Sequence, residues 1–290
     1  MPKSSLSWTE SYDKPLQYGT AVSAAKKGIC MSIYEAERDG VLLTNDPDKI
    51  DLEAVCDLIG KQYWGPSRVR RTTKKAFENS YSFVLLRDGV LVGCAGCYPT
   101  ATSLAAAPAI RAGLAGPGVI VADAVSGVSG AGKKATERTH FCFADENLEA
   151  YGVACHRHTP EIEQILDIPG RLVFTPHLAP LDRGLLSTVT IPLGENKTTQ
   201  QQLDEIYGSF YKDDDLVTVL FGGAQPKTGS VAGTTRAHVA VVLNEHANVI
   251  VATCAIDNVG KGAAGQAIQC ANIVFGLPET CGLQTIAIPA

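Results

Sequence analysis

The sequence predicts an α/β to α+β fold, and three observations favour it. Short runs rich in apolar and β-branched residues predict strands along the chain, at 81–86, 90–93, 119–122, 185–193, 216–221, 237–243 and 249–255. Capping signals and apolar residues at helical spacing predict helices between them, near 101–112, 199–210 and 261–275. The 290 residues are 45% apolar, which is enough for a sizeable core in one large or two ordinary domains.

The first part of the chain carries the weaker signals. Residues 1–30 show little periodicity and are predicted to form a disordered leader. Asp48 is predicted to cap a short helix that carries an apolar face. The runs 81–86 and 90–93 are joined by Arg87-Asp88-Gly89, which predicts a hairpin.

The second part carries sharper boundary signals. Thr199 and Gln202 have the spacing of a capping box, so a helix is expected to begin there. The runs 237–243 and 249–255 predict another hairpin. Gly276 is placed to end the last helix.

Charge and cysteine content restrict the partners and the compartment. A net charge of −5 disfavours nucleic acid and anionic membranes as partners. No apolar run approaches the roughly 20 residues that span a bilayer, and residues 1–10 do not resemble a signal peptide. Nine cysteines, an odd number without framework spacing, predict reduced thiols in the cytoplasm.

Cys97 is the first candidate for chemistry. Pro99 and Thr100 suit a first helical turn, which places Cys97 at a helix N-terminus, where free N–H groups favour the reactive thiolate. The alternative is a small buried cysteine. Cys94 and Cys97 also have the C-x-x-C spacing of a redox pair or half a zinc site. No second such pair and no thioredoxin-like pattern accompanies them, so no metal site is predicted.

Residues 127–134, GVSGAGKK, nearly match a nucleotide-triphosphate loop. Lys134 stands where the magnesium-binding hydroxyl would be, so an NTPase is rejected. Glycine-rich backbone can also form a nest that binds a phosphate, and a plain flexible turn is the alternative.

Two histidine-containing segments follow. In residues 156–161, HRHTPE, Pro160 disfavours a helix that would align His158 with Glu161, so an anion site with Arg157 as donor fits better than a metal site. A surface loop is the alternative. His177 lies near Asp182-Arg183-Gly184 and is a candidate acid–base partner for a thiol, although an isolated histidine is often structural.

Residues 31–93 resemble the opening of a GNAT-superfamily acetyltransferase. The resemblance is carried by Tyr63-Trp64-Gly65-Pro66, Glu78-Asn79-Ser80 and the hairpin of residues 83–93. It stops at Gly93, where the family's coenzyme A loop would have to follow. A truncated fragment is therefore expected, and acetyl-CoA-dependent acetylation remains only the weakest alternative.

From residue 94 onward several motifs occur in a fixed order: GCYPTAT, SGVSGAGKKA, YGVACHRHTPEI, TPHLAPLDRG and DNVGKGAAGQAIQCANIVFGLPE. Together they resemble the N-acetyl-γ-glutamyl-phosphate reductase family, which is related to aspartate-semialdehyde dehydrogenase. The resemblance implies that residues 94–290 form a catalytic and dimerisation domain, with a mixed sheet covered by helices and a tendency to form homo-oligomers.

The resemblance also implies an activity and its residues. The family reduces a small acyl phosphate with NADPH, and Cys97 matches its nucleophile, with a thioester as intermediate. His177 resembles the acid–base histidine. Ser129, Gly130, Gly132 and Asn258 match positions beside the NADP cofactor. Arg157, His158 and Arg183 are implied, less specifically, to bind the anionic groups of the substrate.

Two departures from the family matter. Cys94-Ala95 stand where the family usually has Asn-Pro. No G-x-G-x-x-G-type loop occurs before Cys97, so no complete Rossmann domain is predicted. A gene fusion follows as an expectation. The chain is then either a reductase whose missing part a partner supplies, or an inactive fusion remnant that serves as an oligomerisation module.

Overall fold

The computed structural model describes residues 23–26, 29–32, 35–38, 41–44, 48–61, 84–87, 90–91, 94–132 and 135–287. The chain divides into two compact units, residues 1–92 and 93–290. Of the helices in the described ranges, none has the length and apolar character needed to cross a membrane.

The described strands of the first unit all pair antiparallel. β1 (Ser23–Lys26) pairs with β2 (Ile29–Ser32) and overlaps the end of the predicted leader, whose residues 1–22 lie outside the described residues. A second sheet has the order β3-β4-β5-β6. Its strands are Glu35–Arg38, Val41–Thr44, Val84–Arg87 and Val90–Leu91. The pairing of β5 with β6 confirms the predicted hairpin.

Helix α1 (Leu52–Lys61) is capped by a different aspartate from the one predicted. The Asp51 Oδ1 atom accepts hydrogen bonds from the N–H groups of Glu53, at 2.9 Å, and Ala54, at 3.0 Å. Asp48 lies in the turn before it. The cap must be the residue next to the first helical turn, because only there can its oxygen reach the free N–H groups.

The second unit is built on a seven-stranded sheet with the order β11-β12-β13-β10-β7-β9-β8. Two neighbouring pairs, β11–β12 and β7–β9, are parallel, and the other pairs are antiparallel. The predicted mixed sheet is therefore confirmed. Its strands are β7 (Ile120–Gly127), β8 (Glu149–Ala150), β9 (Leu172–Ala179), β10 (Leu185–Pro192), β11 (Val217–Leu220), β12 (Ala237–Asn244) and β13 (Val249–Ile256).

Five α-helices of this unit lie in the described ranges: α2 (Cys97–Arg111), α3 (Phe141–Ala144), α4 (Thr159–Leu166), α5 (Gln200–Phe210) and α6 (Gly265–Val274). α5 begins at the predicted capping box. The Thr199 hydroxyl accepts from the Gln202 N–H at 3.2 Å, and the Gln202 Oε1 atom accepts from the Thr199 N–H at 2.9 Å. This reciprocal arrangement satisfies two backbone donors at once.

Helix α2 is the central element of the core. Ala101, Ala105 and Ala109 are fully buried at four-residue spacing, so this small-residue face lets the helix lie close to its neighbours. The Tyr207 hydroxyl of α5 donates to the Ala105 carbonyl at 2.7 Å. Because α2 is fixed along its length, its first residue is held in a defined place.

Candidate active site

The N-terminus of α2 carries Cys97 as its first residue, with Gly96 as the N-cap. The helix therefore begins where Pro99 and Thr100 predict it. The Thr100 N–H and hydroxyl donate to the Gly96 carbonyl at 2.9 and 2.8 Å. In turn, the Gly96 N–H donates to the Glu161 carboxylate at 3.1 Å.

Burial raises the pKa of the Cys97 thiol and outweighs the helix terminus. The backbone N–H groups of Tyr98 and Cys97 and the charge of Arg157 act in the opposite direction, and the charge of Glu161 adds to the increase. At neutral pH the thiol is therefore mostly protonated. The simple expectation of a resting thiolate is not met, so a base would have to remove the proton before this sulfur can attack.

An aromatic cluster lies next to Cys97, formed by Tyr98, Tyr151, His156, His158 and Phe174. The Tyr98 ring is 5.4 Å from Phe174, 5.7 Å from His156 and 6.1 Å from His158, measured between ring centroids. The Tyr151 hydroxyl donates to the Tyr98 hydroxyl at 3.1 Å. Burial raises the pKa of both tyrosines, so their hydroxyls stay protonated and can donate hydrogen bonds.

The two histidines of this cluster are neutral at pH 7. Burial, with the nearby Arg157 charge, lowers the pKa of His156 to about 4. Burial, with His156 and Arg157, lowers the pKa of His158 to about 3. The His156 Nδ1 atom accepts from the His158 N–H at 3.2 Å. The His158 Nδ1 atom is buried and has no hydrogen-bond partner among the described residues.

Pro160 does not prevent the helix that follows His158. Helix α4 begins at Thr159, and Pro160 occupies its first turn, where a missing N–H costs nothing. The prediction that Pro160 disfavours this helix is wrong for that reason. His158 consequently faces Glu161, with 4.0 Å between the His158 Nε2 and Glu161 Oε2 atoms. Arg157 is exposed beside them.

His177 is separated from Cys97 by the sheet. It lies in β9, three residues after Phe174, so strand alternation places its side chain on the face opposite to the Phe174 ring. Only its carbonyl reaches the cluster, where it accepts from the Tyr98 hydroxyl at 3.0 Å. The predicted pairing of His177 with Cys97 is therefore not formed.

The predicted cofactor residues do come together. Residues Val128–Ala131 form a 3₁₀ turn directly after β7. The Ser129 hydroxyl donates to the Asp182 carbonyl at 2.5 Å and accepts from the Asn258 Nδ2 atom at 3.0 Å. The Asn258 Oδ1 atom accepts from the Gly184 N–H at 2.8 Å. The turn is therefore tied to two other chain segments.

The turn is closely packed at Gly130. A Cβ atom on Gly130 would lie 2.9 Å from the Ser126 hydroxyl and 3.4 Å from the Asn258 amide nitrogen. Gly132 follows with a φ of 82°, a conformation that favours glycine. Lys133 and Lys134 lie outside the described residues.

Arg183, which the resemblance implies to bind the substrate, lies beside Asp257. Its Nη1 atom is 3.5 Å from the Asp257 Oδ2 atom, and its side chain is 45% exposed, whereas that of Asp257 is fully buried. The Asp257 carboxylate also accepts from the N–H groups of Gly233, Val259 and Gly260, at 2.6, 2.8 and 2.8 Å. Arg183 thus contributes to a buried carboxylate network, which leaves Arg157 as the more accessible cation near Cys97.

The segment after Asn258 joins the turn to the cysteine. A Cβ atom on Gly262 would lie 2.6 Å from the Cys97 Cβ atom. The Gln266 side chain donates to the Thr100 hydroxyl at 2.8 Å. These contacts bring Cys97, the 3₁₀ turn and Asn258 to one end of the sheet.

Sequence reasoning missed seven residues of this site, namely Tyr98, Tyr151, His156, Phe174, Asp257, Gly262 and Gln266. All except Phe174 stand inside the quoted motifs, which were the available signal, and Phe174 directly precedes one of them. In the described ranges, no group of three His, Cys, Asp or Glu side chains is arranged to hold a metal ion.

A family profile, the dimerisation domain of semialdehyde dehydrogenases, matches residues 97–258. The chain belongs to this family. A protein named N-acetyl-gamma-glutamyl-phosphate reductase from Desulforudis audaxviator is 47% identical over 203 residues, which are 68% of this chain and 58% of the relative. One of the same name from Acetivibrio thermocellus is 45% identical over 202 residues, again 68% and 58%. The resemblance read from the motifs is confirmed.

The semialdehyde dehydrogenase domain also has a counterpart among solved structures. Aspartate semialdehyde dehydrogenase II from Vibrio cholerae superposes with a TM-score of 0.50 at 18% identity, over 71% of this chain and 66% of that one. This likeness supports the fold. The chain spans 58% of the length of the two reductases. The acetyltransferase-like character of residues 31–93 stays a prediction.

Proposed function

We propose that residues 94–290 form the catalytic and dimerisation domain of an N-acetyl-γ-glutamyl-phosphate reductase. The observation that carries this proposal is the position of Cys97, at a helix N-terminus and beside Arg157, within a domain of the semialdehyde dehydrogenase family. The reaction would be the NADPH-dependent reductive removal of phosphate from an acyl phosphate, yielding N-acetylglutamate semialdehyde in arginine biosynthesis.

The first step is acyl transfer to Cys97. The sulfur attacks the acyl carbon, the bond from that carbon to the phosphate oxygen breaks, and a thioester and free phosphate are formed. The thiol proton has to go to a base, because burial keeps Cys97 protonated. A cytoplasmic setting, predicted from the cysteine pattern, would keep this thiol reduced.

We assign the base to His158 in place of His177. The His158 ring lies against Gly96, since a Cβ atom there would be 2.7 Å from the His158 Nε2 atom. Its low pKa leaves the ring neutral, with a free lone pair, at neutral pH, and also makes it a weak base until the imidazolium is stabilised. Glu161, 4.0 Å away, would stabilise the imidazolium that forms.

Recognition of the phosphate would fall to Arg157 and the N–H groups at the start of α2. Both already act on Cys97, where they oppose the increase in its pKa that burial causes. A guanidinium suits a phosphate because its donors form a planar fork. Arg183 would contribute less, since it faces the buried Asp257 carboxylate.

Ser129, Gly130, Gly132 and Asn258 would hold the nicotinamide end of NADPH, which supplies the hydride that reduces the thioester when it is bound. The packing at Gly130 supports this assignment, because the Ser126 hydroxyl and the Asn258 amide occupy the place where a side chain would lie and so hold the turn in a fixed position. Ser129 and Asn258 fix the turn by hydrogen bonds at 2.5 and 3.0 Å.

Acyl transfer can be tested without NADPH. The purified chain is mixed with N-acetyl-γ-glutamyl phosphate, and phosphate release and intact protein mass are followed. We expect a burst of about one phosphate per chain and an acyl group on the peptide that contains Cys97. Cys97→Ser should lose the burst, whereas Cys155→Ser, a change at an exposed cysteine, should keep it. Absence of a burst in the unaltered chain would overturn the assignment.

A second candidate function is an oligomerisation module without catalytic activity. It is favoured by the matched profile, which is a dimerisation domain. The sheet face opposite α2 includes Val173 and Val242, which are 50% and 39% exposed, and would supply the contact between two copies. A stable dimer in sedimentation, together with no acyl transfer to Cys97, is the result that would select this function.

A further inference from the structure

A short π-helical turn, Gly260–Ala264, lies beside the proposed nucleophile and leads into α6. The Gly262 N–H donates to the Asp257 carbonyl, five residues back, at 2.9 Å. Turns of this wide type are rare and are frequent at functional sites. The backbone of Gly262 packs directly on Cys97, because a Cβ atom at residue 262 would lie 3.1 Å from the Cys97 Cα atom. The position of the turn therefore bears on the position of the cysteine.

The residue before Gly262 holds this turn through a chain of hydrogen bonds. Lys261 is buried, with 4% of the residue exposed, and its Nζ atom donates to the Gln269 Oε1 atom at 2.6 Å. Gln269 in turn donates from its Nε2 atom to the Glu279 Oε1 atom. The amide thus joins a buried cation to a carboxylate, and we call Lys261, Gln269 and Glu279 the relay.

The relay answers the cost of burying a cation. Burial lowers the pKa of Lys261, while the charges of Glu279 and Asp214 act in the opposite direction. A buried charge is tolerated only when it is paired and hydrogen-bonded, and removing its partner is strongly destabilising. Lys261 is therefore expected to keep its place only while the carboxylate of Glu279 is present.

Glu279 belongs to a C-terminal segment, residues 277–285, that is itself held by the domain. The Asn272 Nδ2 atom donates to the Glu279 carbonyl at 2.9 Å. Farther along the segment, the Gln284 carbonyl accepts from the Thr235 N–H at 2.8 Å. Both contacts fix the backbone of this segment, so the carboxylate of Glu279 is a fixed point for the relay.

We propose that Lys261 is a positioning residue for Cys97, held by Glu279 through the Gln269 amide. The relay fixes the turn, and Gly262 of that turn packs against the Cys97 backbone. Reacting atoms have to be held within about 0.5 Å of a productive geometry, so a turn that could shift would leave the sulfur misplaced. This inference rests on the proposed function, since it concerns the sulfur assigned there as the nucleophile.

Alkylation of Cys97 tests the inference without any substrate. The full chain is treated with iodoacetamide, and modification of Cys97 is followed by mass spectrometry with fragmentation of its peptide. Lys261→Met and Glu279→Gln should each raise the rate about tenfold, because a loosened turn uncovers a thiol that is now largely buried. Glu205→Gln is the matched control: this exposed carboxylate also accepts from a glutamine amide, that of Gln201 at 3.0 Å, and the change should leave the rate unaltered.

The double variant shows whether the two charges act as a unit. Once Lys261 is methionine, the charge of Glu279 no longer balances anything at this site. Lys261→Met combined with Glu279→Gln should therefore alkylate no faster than Lys261→Met alone, whereas two independent effects would multiply to about 100-fold. Unaltered rates in both single variants, or a multiplied rate in the double variant, would overturn the proposal.

Hydrogen exchange under native conditions separates local loosening from a general loss of stability. Peptides from residues 257–265 should exchange about tenfold faster in Lys261→Met, whereas peptides from α5 should keep their rate. Equal acceleration of both sets of peptides would show that the change weakens the whole unit, and it would contradict a positioning role.

Acylation should change in the opposite direction to alkylation. Lys261→Met should slow the phosphate burst at least about tenfold, because acyl transfer needs a correctly placed sulfur, whereas alkylation needs only an accessible one. A burst of unaltered rate in this variant would contradict the proposal. Absence of a burst in the unaltered chain would instead overturn the proposed function, and the alkylation and exchange rates would still decide the positioning role of Lys261.

Discussion

Replacing Asp257 with asparagine should strongly destabilise the second unit. The fully buried carboxylate accepts three backbone N–H groups at 2.6 to 2.8 Å, one on Oδ2 and two on Oδ1. In Asp257→Asn the amide oxygen can keep one pair of donors, while the new NH₂ group faces the third N–H. Loss of one charge-assisted bond costs about 2 kcal/mol, and weakening of the other two costs about 1 kcal/mol each. The free energy of unfolding should fall by about 4 kcal/mol.

Hydrogen exchange in increasing urea measures this loss within residues 93–290 alone. Peptides from this unit are followed by mass spectrometry, so unfolding of residues 1–92 does not contribute. Asp182→Asn is the matched control, because its exposed side chain stands beside Arg183 and the change should stay within about 0.5 kcal/mol. A loss below about 1 kcal/mol in Asp257→Asn would refute the role given to this carboxylate network.

Three further predictions concern the core and the site. The pKa of His158 is about 3 and that of His156 about 4 in the folded chain, against an ordinary value of 6.5, so the unfolded chain binds more protons between these values. Lowering the pH from 7 to about 4.5 should cost about 2–3 kcal/mol through each histidine, and His158→Gln should remove about half of this pH dependence when urea midpoints are compared; an unchanged pH dependence would contradict the burial of His158. Tyr207→Phe removes the buried hydroxyl that donates to the Ala105 carbonyl at 2.7 Å, so the free energy of unfolding should fall by about 1–2 kcal/mol in the same urea assay. An unchanged free energy of unfolding would contradict a stabilising role of this bond. Gly262→Ala would place a Cβ atom 2.6 Å from that of Cys97 and should slow acylation of Cys97 at least tenfold, so a normal phosphate burst would contradict the close approach.

Local signals predicted the local features of the fold. Pro99 and Thr100 place the start of α2 correctly because first-turn chemistry depends on adjacent residues only. The reciprocal bonds of Thr199 and Gln202 are equally local. The mixed sheet was predicted instead from the resemblance to a known family, since the pairing of distant strands leaves no signal in the sequence of a single strand.

The site was predicted in part, and its errors have physical causes. Ser129 and Asn258 are joined as the motifs implied. The predicted contact of His177 with Cys97 is not formed, because the motif does not reveal which face of the strand each side chain occupies. His177 is three residues after Phe174 in β9, so the two side chains lie on opposite faces of the sheet. The Arg183 contact with Asp257 joins residues 74 positions apart, which spacing in the sequence cannot indicate.

The last strand in the described residues, β13, lies in the interior of the seven-stranded sheet. In the described ranges, β11 and β12 are hydrogen-bonded to the rest of the sheet only through it. During synthesis, β10, β7, β9 and β8 would emerge first with the β10 edge open, and β11–β12 would wait as a separate pair. That open edge is a template for unwanted pairing with other chains until residue 256 has left the ribosome, so translation pauses before β13 should promote aggregation and chaperone binding.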